Sequence, residues 1–262
     1  MRAEAALAAR LRSAGLDWIV PEWPAAATVR AFSTTRNGLA GSAADFSRDA
    51  PDAAVARALL RRFAPADVLW LAQVHGAAIV SADEKHGHAP AADGAVSRVD
   101  GRVCAVLTAD CLPVLFCDRR GTVVAAAHAG WRGLASGVLE SAVRSMQAEP
   151  TDLLAWLGPA IGPSAFDVGA DVHDAFCGRD AGAAACFVAT REGKWRGDLY
   201  ALARRALARA GVDAAAIHGG GRCTLSEPAS FYSHRRGGPD ATARMATLIW
   251  LASEPARTDA LV

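Results

Sequence analysis

The stretch Thr108-Ala109-Asp110-Cys111-Leu112-Pro113-Val114-Leu115-Phe116-Cys117-Asp118-Arg119-Arg120-Gly121-Thr122-Val123-Val124-Ala125-Ala126-Ala127-His128-Ala129-Gly130-Trp131-Arg132-Gly133 decides the fold. Two apolar runs, residues 114–117 and 122–127, flank a short polar loop that ends in glycine. Runs of that length, rich in β-branched and aromatic residues, read as the paired strands of an antiparallel hairpin. If Cys117 and Thr122 flank the loop, Leu115 faces Val124, Pro113 faces Ala126 and Cys111 faces His128. Side chains opposed in this way lie roughly 4.5–5.5 Å apart at Cβ. That suits two ligands of one metal ion, whose bonds run about 2.0–2.3 Å. Pro113 cannot donate to a ladder, so the pairing must meet an edge, a bulge or an early end there.

Working outward, residues 3–14 read as a helix stopped by Gly15, within an amphipathic N-terminus that starts at Met1. Residues 28–33 read as a strand before the turn Arg36-Asn37-Gly38, and Pro51 opens a helix that runs to Phe63. Strands are expected at 68–74 and 77–80 on either side of His75-Gly76, then a polar loop at 83–92 and a strand at 103–107. Downstream come a helix at 134–147, a strand at 153–157 and a loop at 158–169 rich in glycine and proline. A hairpin from 186 to Trp195 turns at 191–194. Asp198 caps a helix that ends at Gly211. A strand at 215–218 follows, and a terminal helix capped by Asp240 runs to Ala252. No repeat or linker interrupts the 262 residues. One mixed α/β domain over 1–262 is expected.

Hydrophobic residues make up 52% of the chain, enough for a large core, and the net charge of +1 gives no pull toward nucleic acid or an anionic membrane. No apolar run reaches about 18 residues, so no membrane span is expected. The N-terminus lacks the apolar core of a signal peptide, which points to the cytoplasm. Six cysteines without a Cys-x-x-Cys pair exclude a disulfide scaffold or zinc finger. Cys104, Cys117 and Cys186 sit in apolar runs and read as small buried hydrophobes.

His75, Cys111 and His128 each stand where a strand-like run gives way to a turn. Two imidazoles and a thiolate suit a borderline-soft divalent ion, and three protein ligands leave a fourth position open. That pattern points to a catalytic zinc. Copper fits less well, because the chain has seven histidines in all and its one His-x-His pair, His86-Gly87-His88, lies in a polar loop. Asp110 and Asp93 are candidates for moving a proton, and Asp110 has the alternative of capping a turn. Arg36, Arg132 and Arg235 lie beside glycine or within motifs and suit a phosphate, which arginine binds bidentately. Arg132 has the alternative of an ion pair. Trp131, Phe231 and Tyr232 offer stacking faces or simple core packing. Cys111 and His128 also fit a metal-free nucleophile and base, hence a cysteine hydrolase. A non-catalytic binding factor is the third class.

The motifs Phe32-Ser33-Thr34-Thr35-Arg36-Asn37-Gly38, Gln73-Val74-His75-Gly76, Ala92-Asp93-Gly94, 108–114, 128–133, Gly158-Pro159-Ala160-Ile161-Gly162-Pro163, Asp198-Leu199, Cys223-Thr224 and 231–236 occur in one order. With them the chain resembles the YfiH-like family of laccase-domain proteins, also called polyphenol oxidases and described as purine nucleoside phosphorylases. The resemblance implies mixed β-sheets sandwiched between helices, an α-β-β-α arrangement similar to cytotoxic necrotizing factor-like domains. It implies a monomer with zinc on His75, Cys111 and His128. The chemistry of the residues themselves adds the candidate catalytic set Cys111, His128, Asp110 and Arg36, with Arg36, Arg132, Arg235 and Asp93 as candidate substrate or phosphate contacts. The resemblance further implies phosphorolysis of adenosine, inosine, guanosine and methylthioadenosine, adenosine deamination at the same site, and a link to peptidoglycan editing. Two positions depart from the family pattern: Ser164-Ala165 replaces a cysteine pair, and Ala44-Asp45-Phe46-Ser47 replaces Ser-Leu-Asn-Leu.

Overall fold

A computed structural model describes residues 3–253 of the chain, so Met1 and Arg2 of the expected N-terminal helix lie outside the described residues. The hairpin at its centre joins β6 (Leu112–Asp118) to β7 (Val124–Ala129). Cys117 pairs with Val124, Leu115 with Ala126 and Pro113 with His128. The register is therefore two residues away from the expected one. The cause is Asp118. Its carboxylate accepts the N–H groups of Thr122 and Val123 and the Thr122 hydroxyl, so the turn extends through residues 118–123. A shift of two keeps every side chain on its face, because strands alternate with period two.

The pairing explains how Pro113 sits inside a central strand. The His128 N–H points to Asp93 O at 2.7 Å, away from Pro113, while Pro113 O accepts Gly158 N at 2.9 Å. The nitrogen of Pro113 thus faces past the end of β8 (Leu153–Leu157), whose last pair with β6 is Val114 with Leu157. No ladder bond is lost.

β6 and β7 belong to a six-stranded mixed sheet in the order β12-β8-β6-β7-β4-β3, with β3 (Ile79–Ser81), β4 (Gly94–Ser97) and β12 (Ile217–Gly219). A four-stranded sheet, β1-β13-β5-β2, comprises β1 (Val29–Ser33), β2 (Val68–Leu69), β5 (Val103–Thr108) and β13 (Met245–Leu251). A third sheet joins β9 (Asp167–Gly169), β10 (Phe187–Arg191) and β11 (Lys194–Gly197). Helices α1 (Ala3–Ser13) and α2 (Ala53–Leu60) bury Leu7, Leu11, Leu59 and Leu60 with Phe32, Val103, Ala105, Leu248 and Trp250 of the four-stranded sheet. The opposite faces of those strands, Ala31, Cys104, Val106 and Ile249, join the core shared with the six-stranded sheet. That core continues to α4 (Val138–Ser145) and α6 (Leu199–Arg209). The order of layers is α-β-β-α, with mixed sheets between helices.

Four expectations need correction. The segment after Asp240 is strand β13, not a helix. Met245–Leu251 is buried throughout and lies between β1 and β5, and a run apolar on both faces carries no period to distinguish strand from helix. The helix expected at 134–147 is two helices, α3 (Trp131–Ala135) and α4, broken at Gly137 with φ +91°. The helix after Pro51 starts only at Ala53. The strands expected around His75 shrink to β2 and β3, and residues 70–78 are largely irregular. Strand β4 and helix α5 (Ala170–Cys177) were not foreseen.

Candidate metal centre

One end of the six-stranded sheet gathers the chemistry. There β7 ends just after His128, β6 begins just after Cys111, and β4 begins just after Asp93. The loop that carries His75 leads into β3 at the same end. One ligand atom each from His75, Cys111 and His128 lies within 4.8 Å of the others. The two imidazole rings meet edge to face, with centroids 4.8 Å apart. His128 is buried, Cys111 half-buried and His75 exposed, so the cluster opens to solvent on one side. Among the described residues it is the one group of His, Cys, Asp or Glu side chains arranged to hold a metal ion. His86 instead bonds Ser81 O at 2.8 Å through Nε2.

Cys111 does not face His128 across the ladder. It sits in the turn before β6, where Asp110 adopts φ +85°. His75 also has a positive φ, +59°. Its backbone is held by Asp93, a fully buried carboxylate that accepts the N–H groups of Val74 at 3.2 Å, His75 at 2.9 Å and Gly76 at 2.6 Å. The same carboxylate takes Nδ1 of His128 at 2.8 Å, leaving Nε2 toward the cluster. A buried acid thus orients both imidazoles, one through its ring and one through its main chain. Gln73 completes this support: its side-chain amide bonds Leu107 N at 2.7 Å and Leu107 O at 2.9 Å, continuing the ladder of β5 beyond the end of β2.

The glycines of His128-Ala129-Gly130-Trp131-Arg132-Gly133 allow close approach. A Cβ on Gly130 would lie 2.8 Å from Cys111 Sγ and 3.4 Å from His75 Cδ2. A Cβ on Gly133 would lie 2.8 Å from Gly76 O. The start of α3 is therefore packed directly on the ligand turns.

Burial pushes the Cys111 thiol up, but hydrogen bonds and charge from His128 and His75 outweigh it and bring the thiol down to about 6. Burial pushes His128 down, yet its bonds to Asp93 and Cys111 raise it to about 9. Burial likewise opposes ionisation of Asp93, and His128 with the Gly76 and His75 N–H groups holds it below the ordinary carboxylate range. Without metal, these contacts favour the thiolate of Cys111 and the protonated form of His128, backed by the Asp93 carboxylate.

The remaining sequence candidates fall into two places. Arg132 is exposed at the start of α3, its guanidinium 4.4 Å from the Trp131 ring centroid. Among the described residues it forms no ion pair with a carboxylate. Arg36 meets the 223–236 segment that contains Arg235, and Asp110 ties that segment to the Cys111 turn. Arg36 bonds Pro228 O at 3.0 Å and lies 5.1 Å from the Tyr232 ring centroid. Arg235 bonds Asp167 O through both Nη atoms at 3.2 Å. Phe231 is fully buried. Asp110 accepts the hydroxyls of Thr224 at 2.5 Å and Ser233 at 3.0 Å and the Arg235 N–H at 2.7 Å. The unusual Ala44-Asp45-Phe46-Ser47 segment is packing: Phe46 is fully buried and Asp45 accepts Arg244 N at 2.9 Å. Sequence reasoning missed the anchoring by Asp93 of three consecutive N–H groups, the amide bridge of Gln73, and the two hydroxyls on Asp110. An acid immediately before Gly94 at the start of a strand was the available signal for the first.

Comparison with known proteins places the fold and the family. The family described as "Multi-copper polyphenol oxidoreductase laccase" matches residues 32–252. A Pseudomonas aeruginosa protein named purine nucleoside phosphorylase is 47% identical over 243 residues, covering 89% of this chain and 98% of that protein. The Escherichia coli protein named purine nucleoside phosphorylase YfiH is 46% identical over 244 residues, covering 89% and 98%. A Neisseria meningitidis crystal structure superposes with a TM-score of 0.84 at 45% identity, covering 90% of this chain and 100% of that one. YlmD from Geobacillus stearothermophilus superposes with a TM-score of 0.78 at 28% identity, covering 88% and 94%. Among the described residues no helix is long and apolar enough to cross a membrane. With the motif order, the layer arrangement and these matches in agreement, the chain belongs to the YfiH-like laccase-domain family.

Proposed function

We propose that the protein is a zinc-dependent purine nucleoside phosphorylase that splits adenosine, inosine, guanosine or methylthioadenosine with phosphate, and that it deaminates adenosine at the same site. The observation that carries this reading is the convergence of His75, Cys111 and His128 within 4.8 Å. The donor set fits zinc: a thiol already drawn toward its thiolate, and an imidazole whose far nitrogen is fixed by a buried carboxylate. Bound there, zinc would supply a Lewis acid for water or for the purine.

The protein's own groups do the rest. Asp93 keeps His128 in the tautomer that offers Nε2, and its grip on residues 74–76 fixes His75. Arg132, exposed and unpaired with any carboxylate among the described residues, would offer its guanidinium to phosphate together with Arg36 and Arg235. Its chain position, two residues past the Gly130 that packs on Cys111, supports this. Trp131 offers a half-exposed ring for a purine, since aromatic faces stack on flat bases. The names of the relatives support phosphorolysis.

The test is incubation of zinc-loaded protein with adenosine, with and without phosphate, following adenine, hypoxanthine, inosine and ribose 1-phosphate. Adenine and ribose 1-phosphate should appear together and only with phosphate, while inosine should appear without it. Free ribose in place of ribose 1-phosphate would overturn phosphorolysis.

A cysteine hydrolase is the second reading, favoured by the sequence of contacts Asp93, His128, Cys111 and by the depressed thiol. It requires activity that survives complete removal of metal.

A further inference from the structure

Asp110 precedes the thiol ligand, yet its carboxylate turns away toward the segment 223–236. Oδ1 accepts the Thr224 hydroxyl at 2.5 Å, and Oδ2 accepts the Ser233 hydroxyl at 3.0 Å and the Arg235 main-chain N–H at 2.7 Å. Thr224 is 0% exposed, Ser233 6% and Asp110 9%, so water does not compete for these bonds. Asp110 pays for this with φ +85°, a conformation a non-glycine residue keeps only where its surroundings over-determine it.

The segment it grips is cross-linked by its own hydrogen bonds. Arg236 donates to Thr224 O at 3.0 Å, Leu225 O at 2.9 Å and Phe231 O at 2.5 Å, closing the loop on its own guanidinium. Glu227 accepts Cys223 N at 2.7 Å. The far side of the block holds the Phe32–Gly38 motif: Arg36 N bonds Ser230 O at 2.8 Å and Asn37 Nδ2 bonds Ala229 O at 3.2 Å. One block of chain therefore links two of the three candidate arginines to the residue beside the thiol.

We propose that Asp110 is a positioning residue that clamps the 223–236 block to the Cys111 turn, and so sets where Arg235 and Arg36 stand relative to the metal ligands. Both of its oxygens are occupied by three donors, so carrying a proton to substrate would require breaking the clamp. The kinetic consequence rests on the phosphorolysis reading: the block orders guanidinium groups for the phosphate co-substrate, and loosening it weakens phosphate before it slows the bound complex.

The experiment compares Asp110→Asn, and separately the double variant Thr224→Val with Ser233→Ala, with the wild-type zinc-loaded protein. Amide hydrogen exchange across 223–236 should rise about tenfold or more as the block opens locally, with the rest of the sheet unchanged. Zinc content should stay at the wild-type level. The KM for phosphate should rise about tenfold, with kcat changed far less, the mark of lost ordering rather than lost chemistry. Unchanged exchange in both folded variants overturns the clamp. A collapse of kcat with KM for phosphate intact makes Asp110 a proton carrier and also overturns it. Should the wild type show no phosphorolysis, the function reading fails while the exchange arm still decides the clamp. If Asp110→Asn does not fold, the double variant, which keeps the carboxylate, carries the decision.

Discussion

Asp93 Oδ1 lies 2.8 Å from His128 Nδ1 and 2.9 Å from the His75 N–H, so one buried carboxylate oxygen serves both imidazole ligands. A carboxylate behind a ligating histidine fixes its tautomer and raises its basicity, and losing such support typically costs 10–100-fold in metal affinity, to order of magnitude. Asp93→Asn should therefore bind zinc about 10–100-fold more weakly in competition with a chromophoric chelator. Asp93→Ala should fare worse, since it orphans three N–H groups at once. A loss of about 3 kcal/mol or more in chemical denaturation is expected. Unaltered zinc affinity in Asp93→Asn would mean that the carboxylate orders the loop without tuning the ligand.

The depressed thiol gives a pH signature. In metal-stripped protein Cys111 titrates at about 6, far below the free thiol at about 8.5. The nucleophilic thiolate appears as pH rises through that value. The rate of iodoacetamide alkylation at Cys111, read by mass spectrometry, should therefore climb between pH 5 and 7, on the order of one unit either side of 6, and then level off. Cys104 and Cys117, pushed up by burial, should stay unmodified. Zinc should suppress the reaction at Cys111. A midpoint at or above the ordinary thiol range would show that the two imidazoles do not act on the sulfur, and equal rates with and without zinc would favour the metal-free nucleophile.

Gly130 offers a steric test with little backbone cost. Its φ of −59° is open to any residue, so alanine there strains no dihedral. The added Cβ would sit 2.8 Å from Cys111 Sγ and must push the ligand or α3 aside. Gly130→Ala should keep its fold, with Tm within a few degrees, roughly the shift of a 1 kcal/mol change. It should lose zinc affinity by about tenfold or more. Full zinc affinity would mean that α3 moves freely and is not part of the site.

The layers were legible wherever one face of an element was polar or capped. Asp198 accepts Ala201 N at 3.0 Å as its position before an apolar run implied. The strand at 153–157, buried at all five positions, was legible instead from its short length and the Gly158-Pro159 that ends it. Met245–Leu251 was illegible because burial on both faces erases the period-two signal, leaving the weaker cap-like Asp240 to mislead. The three ligand-type residues were legible as a chemical set, but not in their placement. Their approach depends on the wide Asp118 turn, closed by local bonds from Thr122 and Val123, and on positive φ at His75 and Asp110, whose turns are held by hydrogen bonds to residues remote in sequence. Asp93 was seen as an acid in a motif. That it binds four donors is a property of the folded loop alone.

Gln73 is the last such hidden support, and its removal separates fold from ligand geometry. Its amide substitutes for a strand, meeting both Leu107 N and Leu107 O where β2 has already ended. Gln73→Ala leaves that donor and acceptor without partners in a half-buried place. The expected cost is about 2 kcal/mol in chemical denaturation, within the range for unsatisfied polar groups that keep partial access to water. Gln73→Glu should be harmful too, because it keeps the acceptor for Leu107 N but sets a carboxylate against Leu107 O. The loop from 70 to 78 also carries His75, held otherwise by Asp93. Zinc binding should therefore weaken less in Gln73→Ala than in Asp93→Asn, although the stability loss is comparable or larger. The reverse ranking would mean that the ligand is held through the ladder of β5 rather than through the buried carboxylate.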